Sequence, residues 1–158
     1  MSEAAPTINL ADAPMKPGGN GGKFVHRGCR LGPRLGLQTL GCGLYVLPPG
    51  KRAFPYHAHS LIEEMFFVLE GSGTLRHDGQ EYPIRAGDVI ASPVGKPHQI
   101  VNTSDAELKY LAISSNALAD VVLYPDSNKV QAVSAAFPKT LWHVTKLSDA
   151  TDYYAGEE

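Results

Sequence analysis

Two short stretches of the chain hold residues that can build one metal site between them. The first, residues 50–71, carries His57 and His59, and the second, residues 87–102, carries His98. Residues two apart on a strand point to the same face and lie roughly 6.6 Å apart along the chain. Because metal–nitrogen bonds are about 2 Å long, both imidazoles can reach one ion. A carboxylate on the next strand and the third histidine would complete the site.

The segments around these residues indicate an all-β fold. From Phe24 onward, short apolar runs alternate with turn residues, which is typical of a β-sandwich or β-barrel. Asp78 and Gly79 form a two-residue hairpin signal between two such runs. Residues 129–136 are instead compatible with a short helical turn. The predicted strands are residues 40–47, 54–59, 64–69, 74–77, 80–84, 88–92, 98–102, 108–114 and 120–123.

The strand predicted at residues 64–69 is apolar on both faces. If Glu64 faces the interior, Phe66 and Val68 do so as well, and the residues between them face outward. A strand of this kind is usually covered on both sides. The cover could come from the N-terminal segment, the C-terminal segment or a second subunit. The size of the outward apolar stripe favours a homodimer.

Length, composition and charge limit the classes of function. The 158 residues suit one domain, with a flexible arm over residues 1–22, a single barrel over 23–125, and a C-terminal extension over 126–158 packed on the barrel or on a partner subunit. A net charge of −2 without a basic run argues against nucleic acid and anionic membrane surfaces as partners. Neither a secretory signal nor a membrane-spanning apolar run is found, so a cytoplasmic location is expected. The two cysteines are too few for a disulfide scaffold.

The spacing of glycines, prolines and candidate ligands closely resembles the two signature motifs of the cupin superfamily. The residues between the two motifs number fifteen, the short spacing of compact microbial members. One departure is the spacer from Gly50 to His57, which has six residues rather than the usual five. The matching positions are Gly50, His57, His59, Glu64 and Gly71 in the first motif, and Gly87, Pro93, Gly95, His98 and Asn102 in the second.

This resemblance implies a fold and a ligand set. The implied fold is a small jelly-roll β-barrel, also called a double-stranded β-helix. The implied metal ligands are His57, His59, Glu64 and His98. Glu63 is the alternative carboxylate, because the family also allows three residues after the second histidine, but the six-residue spacing to the closing glycine and the phase of the strand favour Glu64. Such a donor set suits one divalent transition metal: Fe, Mn, Zn, Ni or Cu.

The C-terminal residues add a weaker resemblance to stand-alone cupins that are often provisionally labelled sugar-phosphate isomerases. It rests on residues 124–127 (Tyr-Pro-Asp-Ser) and 152–157 (Asp-Tyr-Tyr-Ala-Gly-Glu). The function it implies is metal-dependent isomerisation of a sugar or sugar phosphate through a metal-stabilised enediolate. Two alternatives stay open: an Fe(II)-dependent dioxygenase, and a cupin that binds a small polar ligand without turnover.

The sequence does not identify the groups that would assist a bound metal. Tyr45 and Tyr56 are candidates for proton transfer, but packing roles suit them equally. Lys51, Arg52 and Lys96 flank the motifs and could bind a phosphate, although a solvated surface position is the more ordinary interpretation for each.

Overall fold

Antiparallel strands account for most of the regular structure. The computed structural model describes residues 6–136 and 140–157. Within that part of the chain, the helices are 3-10 turns of three or four residues, and none is long and apolar enough to cross a membrane. The strands are β1 (Lys16–Gly21), β2 (Phe24–Arg30), β3 (Leu40–Leu47), β4 (Ala58–His59), β5 (Glu64–Glu70), β6 (Ser72–His77), β7 (Gln80–Arg85), β8 (Val89–Ser92), β9 (His98–Val101), β10 (Leu108–Ser115), β11 (Ala119–Tyr124), β12 (Lys129–Ser134) and β13 (Leu141–Lys146).

The strands form the jelly-roll β-barrel that the sequence predicted. One wall is a six-stranded sheet with the order β1-β2-β3-β10-β5-β8. The barrel is completed by a four-stranded sheet, β13-β12-β11-β4, and a three-stranded sheet, β7-β6-β9. Neighbours such as β3 and β10 are distant in the chain and pair antiparallel, as the crossing connections of a double-stranded β-helix require. A bridge between His57 and His98 links the segment before β4 to β9.

The barrel interior is filled by alternating side chains of these strands. On β5, Phe66 and Val68 are buried whereas Met65 is 41% exposed, so the predicted phase of this strand is confirmed. With Phe66 and Val68 fixed inside, Glu64 faces the interior too. The interior cluster comprises Leu47, Ala53, Phe66, Val68, Leu75, Ile84, Ile90, Ile100, Leu108 and Tyr110.

The outward face of the six-stranded sheet is partly covered by N-terminal residues of the same chain. Leu69 on β5 and Leu111 on β10 pack against a second apolar cluster that includes the buried Ala13. The other members of this cluster are Ile8, Leu10, Met15, Cys29, Leu31, Leu35, Cys42 and Leu44. The sequence left open whether the N-terminal segment, the C-terminal segment or a second subunit covers this face. The structure shows that the N-terminal segment covers part of it.

Part of the segment predicted as a flexible arm forms a strand in the structure. Residues Lys16–Gly21 form β1 and pair with β2. The glycine-rich run suggests a linker in sequence, yet here it allows a close hairpin. Gly19 has a φ of 102°, and a Cβ there would lie 2.0 Å from the Phe24 carbonyl oxygen. Glycine at this position therefore serves strand pairing, because a side chain would collide with the neighbouring backbone.

The C-terminal residues extend the four-stranded sheet. β12 pairs with β11 on one side and with β13 on the other. The helical turn predicted within residues 129–136 is wrong. A reversal at Asn128, whose φ is 50°, gives the following segment strand partners on both sides, and this pairing outweighs its local preference. The strand predicted at residues 54–59 is shorter than expected, since β4 covers Ala58–His59 alone.

Candidate metal centre

Three strand segments bring the predicted ligands together. His59 lies on β4, Glu64 begins β5 and His98 begins β9, with His57 just before β4. The backbone N–H of His57 donates to the His98 carbonyl at 3.2 Å, and the N–H of His98 donates to the His57 carbonyl at 2.8 Å. This reciprocal pair places the two imidazoles side by side, with ring centroids 4.5 Å apart.

The Glu64 carboxylate is the point on which the three imidazoles converge. Its Oε2 lies 2.7 Å from Nε2 of His98, 3.4 Å from Nε2 of His59 and 3.7 Å from Nε2 of His57. Donor atoms of His57, Glu64 and His98 lie within 4.8 Å of one another, a spacing that one metal ion can bridge. His59 joins this trio through the same carboxylate oxygen. The structure therefore brings the four residues to one place, and their role as metal ligands stays a prediction.

The second nitrogen of two imidazoles is held by a backbone carbonyl. Nδ1 of His57 donates to the Pro55 carbonyl at 2.8 Å, and Nδ1 of His98 donates to the Lys96 carbonyl at 3.1 Å. Since a carbonyl can only accept, both rings carry a proton on Nδ1. Their Nε2 atoms face Glu64, which is the side from which a metal would be bound.

Asp120 holds the third imidazole and was not among the residues predicted from the sequence. Its Oδ2 accepts from Nδ1 of His59 at 2.5 Å, and its Oδ1 accepts from the backbone N–H groups of Ser60 and Leu61. The residue is 5% exposed near the start of β11. A signal was available, because Asp120 stands two residues before the buried Val122 and strand alternation directs both to the same face.

Burial and mutual contacts set the charge of the cluster. Burial, followed by the charge of His98, lowers the pKa of His57 to about 4. Burial by itself would raise the pKa of Glu64. Its hydrogen bonds with His59 and His98 have the opposite and larger effect, so the pKa lies well below its usual range. Burial lowers the pKa of His59, yet the bonds to Glu64 and Asp120 leave it above its ordinary value. The cluster therefore combines an ionised carboxylate with a neutral imidazole near neutral pH, and this donor set fits a divalent cation.

Asp120→Asn is expected to weaken metal binding without unfolding the protein. The amide keeps an acceptor for the Ser60 and Leu61 N–H groups but loses the charge that orients and polarises His59. Changes to such supporting partners typically cost about 10–100-fold in metal affinity. Competition titration against a chelator measures the loss, with the exposed Asp149→Asn as the matched control. Equal affinities for both variants and the wild type would contradict this role for Asp120.

The four residues open into a cavity of about 410 Å³. Its walls combine aromatic rings with hydrogen-bonding side chains. On β3, Gly43 lets the Tyr45 ring pack closely over the strand, because a Cβ there would lie 2.8 Å from that ring. The volume and lining suit a small polar molecule. Polar and aromatic residues in the wall include Arg30, Tyr45, Gln99, Tyr110, Asn116 and Gln131.

Only some of the residues proposed from the sequence to assist a bound metal line this cavity. Tyr45 lines it, whereas Tyr56 lies outside. The three basic residues proposed as phosphate ligands lie outside it as well: Lys51, Arg52 and Lys96. Arg30 lines the wall instead, and it escaped sequence reasoning because it precedes the first motif by twenty residues along the chain.

The barrel resembles known proteins in both sequence and structure. A family model described as a cupin domain matches residues 43–114. A solved structure from Acidithiobacillus ferrooxidans, provisionally named a sugar phosphate isomerase, is 31% identical with a TM-score of 0.74, over 82% of this chain and 81% of that one. A sugar phosphate isomerase of the cupin superfamily from Silicibacter pomeroyi is 25% identical with a TM-score of 0.79, over 92% of this chain and 95% of that one. The chain belongs to the cupin superfamily.

Similarity to curated relatives is confined to part of each protein. The oxalate-binding protein of Thermotoga maritima is 37% identical over 67 residues, which make up 42% of this chain and 54% of that protein. The chain spans about half the length of the curated relatives it matches. These matches therefore support a shared cupin domain, and the ligand in a relative's name is a property of that relative.

Proposed function

We propose that the protein binds one divalent transition metal through His57, His59, Glu64 and His98 and acts on a small polar molecule in the adjoining cavity. The proposed reaction is isomerisation of a sugar or sugar phosphate. The observation that carries this proposal is the convergence of three imidazoles on one carboxylate in the wall of a cavity of about 410 Å³. Two similar solved structures bear sugar phosphate isomerase names, which supports the same reaction class.

The parts of the site have distinct chemical roles in such a reaction. A bound divalent metal would supply Lewis-acid stabilisation of negative charge on adjacent substrate oxygens. Asp120 keeps the His59 imidazole oriented through its hydrogen bond to Nδ1. Burial raises the pKa of Tyr45 and of Tyr110, so both phenols stay protonated near neutral pH. Since both line the cavity, they can donate hydrogen bonds to substrate oxygens.

Isomerase assays with metal-loaded protein test this proposal. The chain is stripped with a chelator, reconstituted separately with each of the five candidate metals, and incubated with free and phosphorylated sugars. We expect interconversion of aldose and ketose that requires metal and is lost in His98→Ala but kept in the exposed His143→Ala control. Absence of turnover with every metal and sugar would overturn the proposed reaction. Oxygen uptake by the iron-loaded protein in its place would support the dioxygenase alternative.

Ligand binding without turnover is a second candidate, and one relative favours it. The Thermotoga maritima protein, 37% identical over the matched residues, is named an oxalate-binding protein. Oxalate is a small dianion, and Arg30 contributes a positive charge to the cavity wall. Calorimetric titration with oxalate, run beside the isomerase assay, separates the two candidates. Saturable binding with no turnover of any sugar would support the binding role.

The protein is expected to form a homodimer that covers the remaining outward apolar surface. Met65 is 41% exposed and Val89 is 63% exposed, on the paired strands β5 and β8 at the edge of the six-stranded sheet. Val89→Glu puts a charge in this patch, so it should shift the dimer toward monomer, whereas Leu118→Glu, exposed elsewhere, should not. Light scattering at micromolar concentration should give about twice the chain mass of 16.9 kDa. A monomeric wild-type protein would contradict the dimer.

A further inference from the structure

A positively charged side chain lies in the wall of the cavity beside the candidate metal centre. Arg30 ends β2, directly opposite Gly43 on β3. Cys29 is buried in the apolar cluster on the outward side of the sheet, so strand alternation turns Arg30 to the other side, where it lines the cavity. The Tyr45 ring packs over Gly43, where a Cβ would lie 2.8 Å from it, so Arg30 and Tyr45 line the same part of the wall.

Arg30 is the cation that a ligand in this cavity would meet. Among the described lysines and arginines, it is the one that lines the cavity. No carboxylate of residues 6–136 and 140–157 forms a salt bridge with it, whereas Arg27 on the same strand binds Glu107 at 2.7 Å. The guanidinium of Arg30 therefore keeps its donors for a ligand. Its planar fork of N–H groups matches the paired oxygens of a carboxylate or a phosphate.

Positive charge continues from Arg30 into a neighbouring groove. This groove, of about 610 Å³, shares Arg30 and Tyr45 with the cavity and is also lined by Lys16 and Arg34. The cavity wall thus has two charged parts, the cluster around Glu64 and the positive charge of Arg30, which the groove continues. A ligand that contacts both parts would carry oxygen ligands for a metal and a separate anionic group.

We propose that Arg30 binds an oxyanion group of the ligand, a carboxylate or a phosphate, while the rest of the ligand reaches the metal centre. This inference rests on the proposed function and names the ligand class for the same cavity. Bidentate hydrogen bonds from a guanidinium favour such anions over neutral polyols. A phosphate carries more charge and would also draw on Lys16 and Arg34, whereas a carboxylate is held by Arg30 alone.

Three probes test this assignment on the metal-loaded chain by calorimetry at low salt: oxalate, inorganic phosphate and ribose 5-phosphate. Arg30→Ala removes hydrogen bonds between charged groups. We therefore expect its affinity for every probe that the wild type binds to fall by about 10–100-fold. Arg27→Ala is the matched control, because it removes the same charge from the opposite face of the same strand, and its affinities should equal those of the wild type. Arg34→Ala separates the anions. If Arg34→Ala binds the two phosphate probes more weakly but binds oxalate normally, the ligand is a phosphate. If this variant binds all the probes as the wild type does, the ligand is a carboxylate.

Metal content and thermal unfolding are measured for every variant, because they separate two different failures. Arg30 is exposed, so its replacement by Ala should leave both quantities unchanged. A wild-type protein that binds no metal would defeat the proposed function, and this inference with it. Normal metal content with equal anion affinities in Arg30→Ala and the wild type would overturn this inference alone. The same conclusion follows if the metal-loaded wild type binds none of the three probes.

Discussion

His98→Ala is expected to remove most of the metal bound by the protein while leaving the β-barrel folded. His98 is the imidazole nearest to the Glu64 carboxylate, with Nε2 2.7 Å from Oε2, and it is 3% exposed. The substitution takes away one proposed ligand and deprives Glu64 of its shortest hydrogen bond. Because a ligand itself is lost, metal affinity should fall by more than the roughly 10–100-fold that follows from losing a supporting partner.

The fold should survive this substitution. Point changes of this kind typically lower the free energy of unfolding by about 0.5–3 kcal/mol, against roughly 5–15 kcal/mol for an ordinary domain. The backbone hydrogen bonds between His57 and His98 do not involve the side chain and would remain. Elemental analysis measures the metal and circular dichroism the β structure, with His143→Ala on β13 as the control. Unchanged metal occupancy in His98→Ala would contradict its assignment as a ligand.

Glu64→Gln is expected to lose far more metal affinity than Glu63→Gln. An amide has nearly the size of a carboxylate, so packing is preserved whereas the negative charge is lost. Glu64 contacts the three imidazoles through Oε2, while Glu63 precedes β5 and donates its backbone N–H to Ser115 Oγ at 3.0 Å. The expected difference between the two variants is about tenfold or greater, since the charge removed at Glu64 is that of a ligand rather than of its surroundings.

The two glutamate variants control for each other, because the same substitution is made at adjacent positions. Titration of metal-free protein with Zn²⁺ or Mn²⁺ in competition with a chelator gives both affinities under one set of conditions. Glu63→Gln should match the wild type. The reverse order, with Glu63→Gln the weaker binder, would show that the ligand is the carboxylate one position earlier in the chain.

Alternating apolar runs predicted an all-β sandwich or barrel, and the resemblance to the cupin motifs implied the jelly-roll barrel and the four central residues. On β5, the period of two predicted that Phe66 and Val68 would lie inside if Glu64 did. The hairpin between β6 and β7 was predicted from Asp78 and Gly79, which both adopt positive φ, 49° and 79°, as a type I′ turn requires. These features depend on neighbours in the chain, which is why the sequence displays them directly.

Residues whose role depends on pairing between distant segments were not predicted. Asp120 reaches His59 because β11 pairs with β4, and Arg30 lines the cavity because β2 lies beside β3. Neither pairing follows from periodicity, since alternation defines the faces of a strand but not its neighbours. The strand β1 was not predicted for a related reason: the conformational freedom of its glycines suits a mobile linker and a close hairpin equally.

The most direct test of the metal centre is a crystal structure of the metal-loaded protein with the ion located by anomalous scattering. We expect one ion, bonded to Nε2 of His57, His59 and His98 at about 2.0–2.1 Å and to a Glu64 carboxylate oxygen at about 2.0–2.2 Å. An ion bound elsewhere on the chain, or imidazoles turned away from it, would contradict the proposed centre.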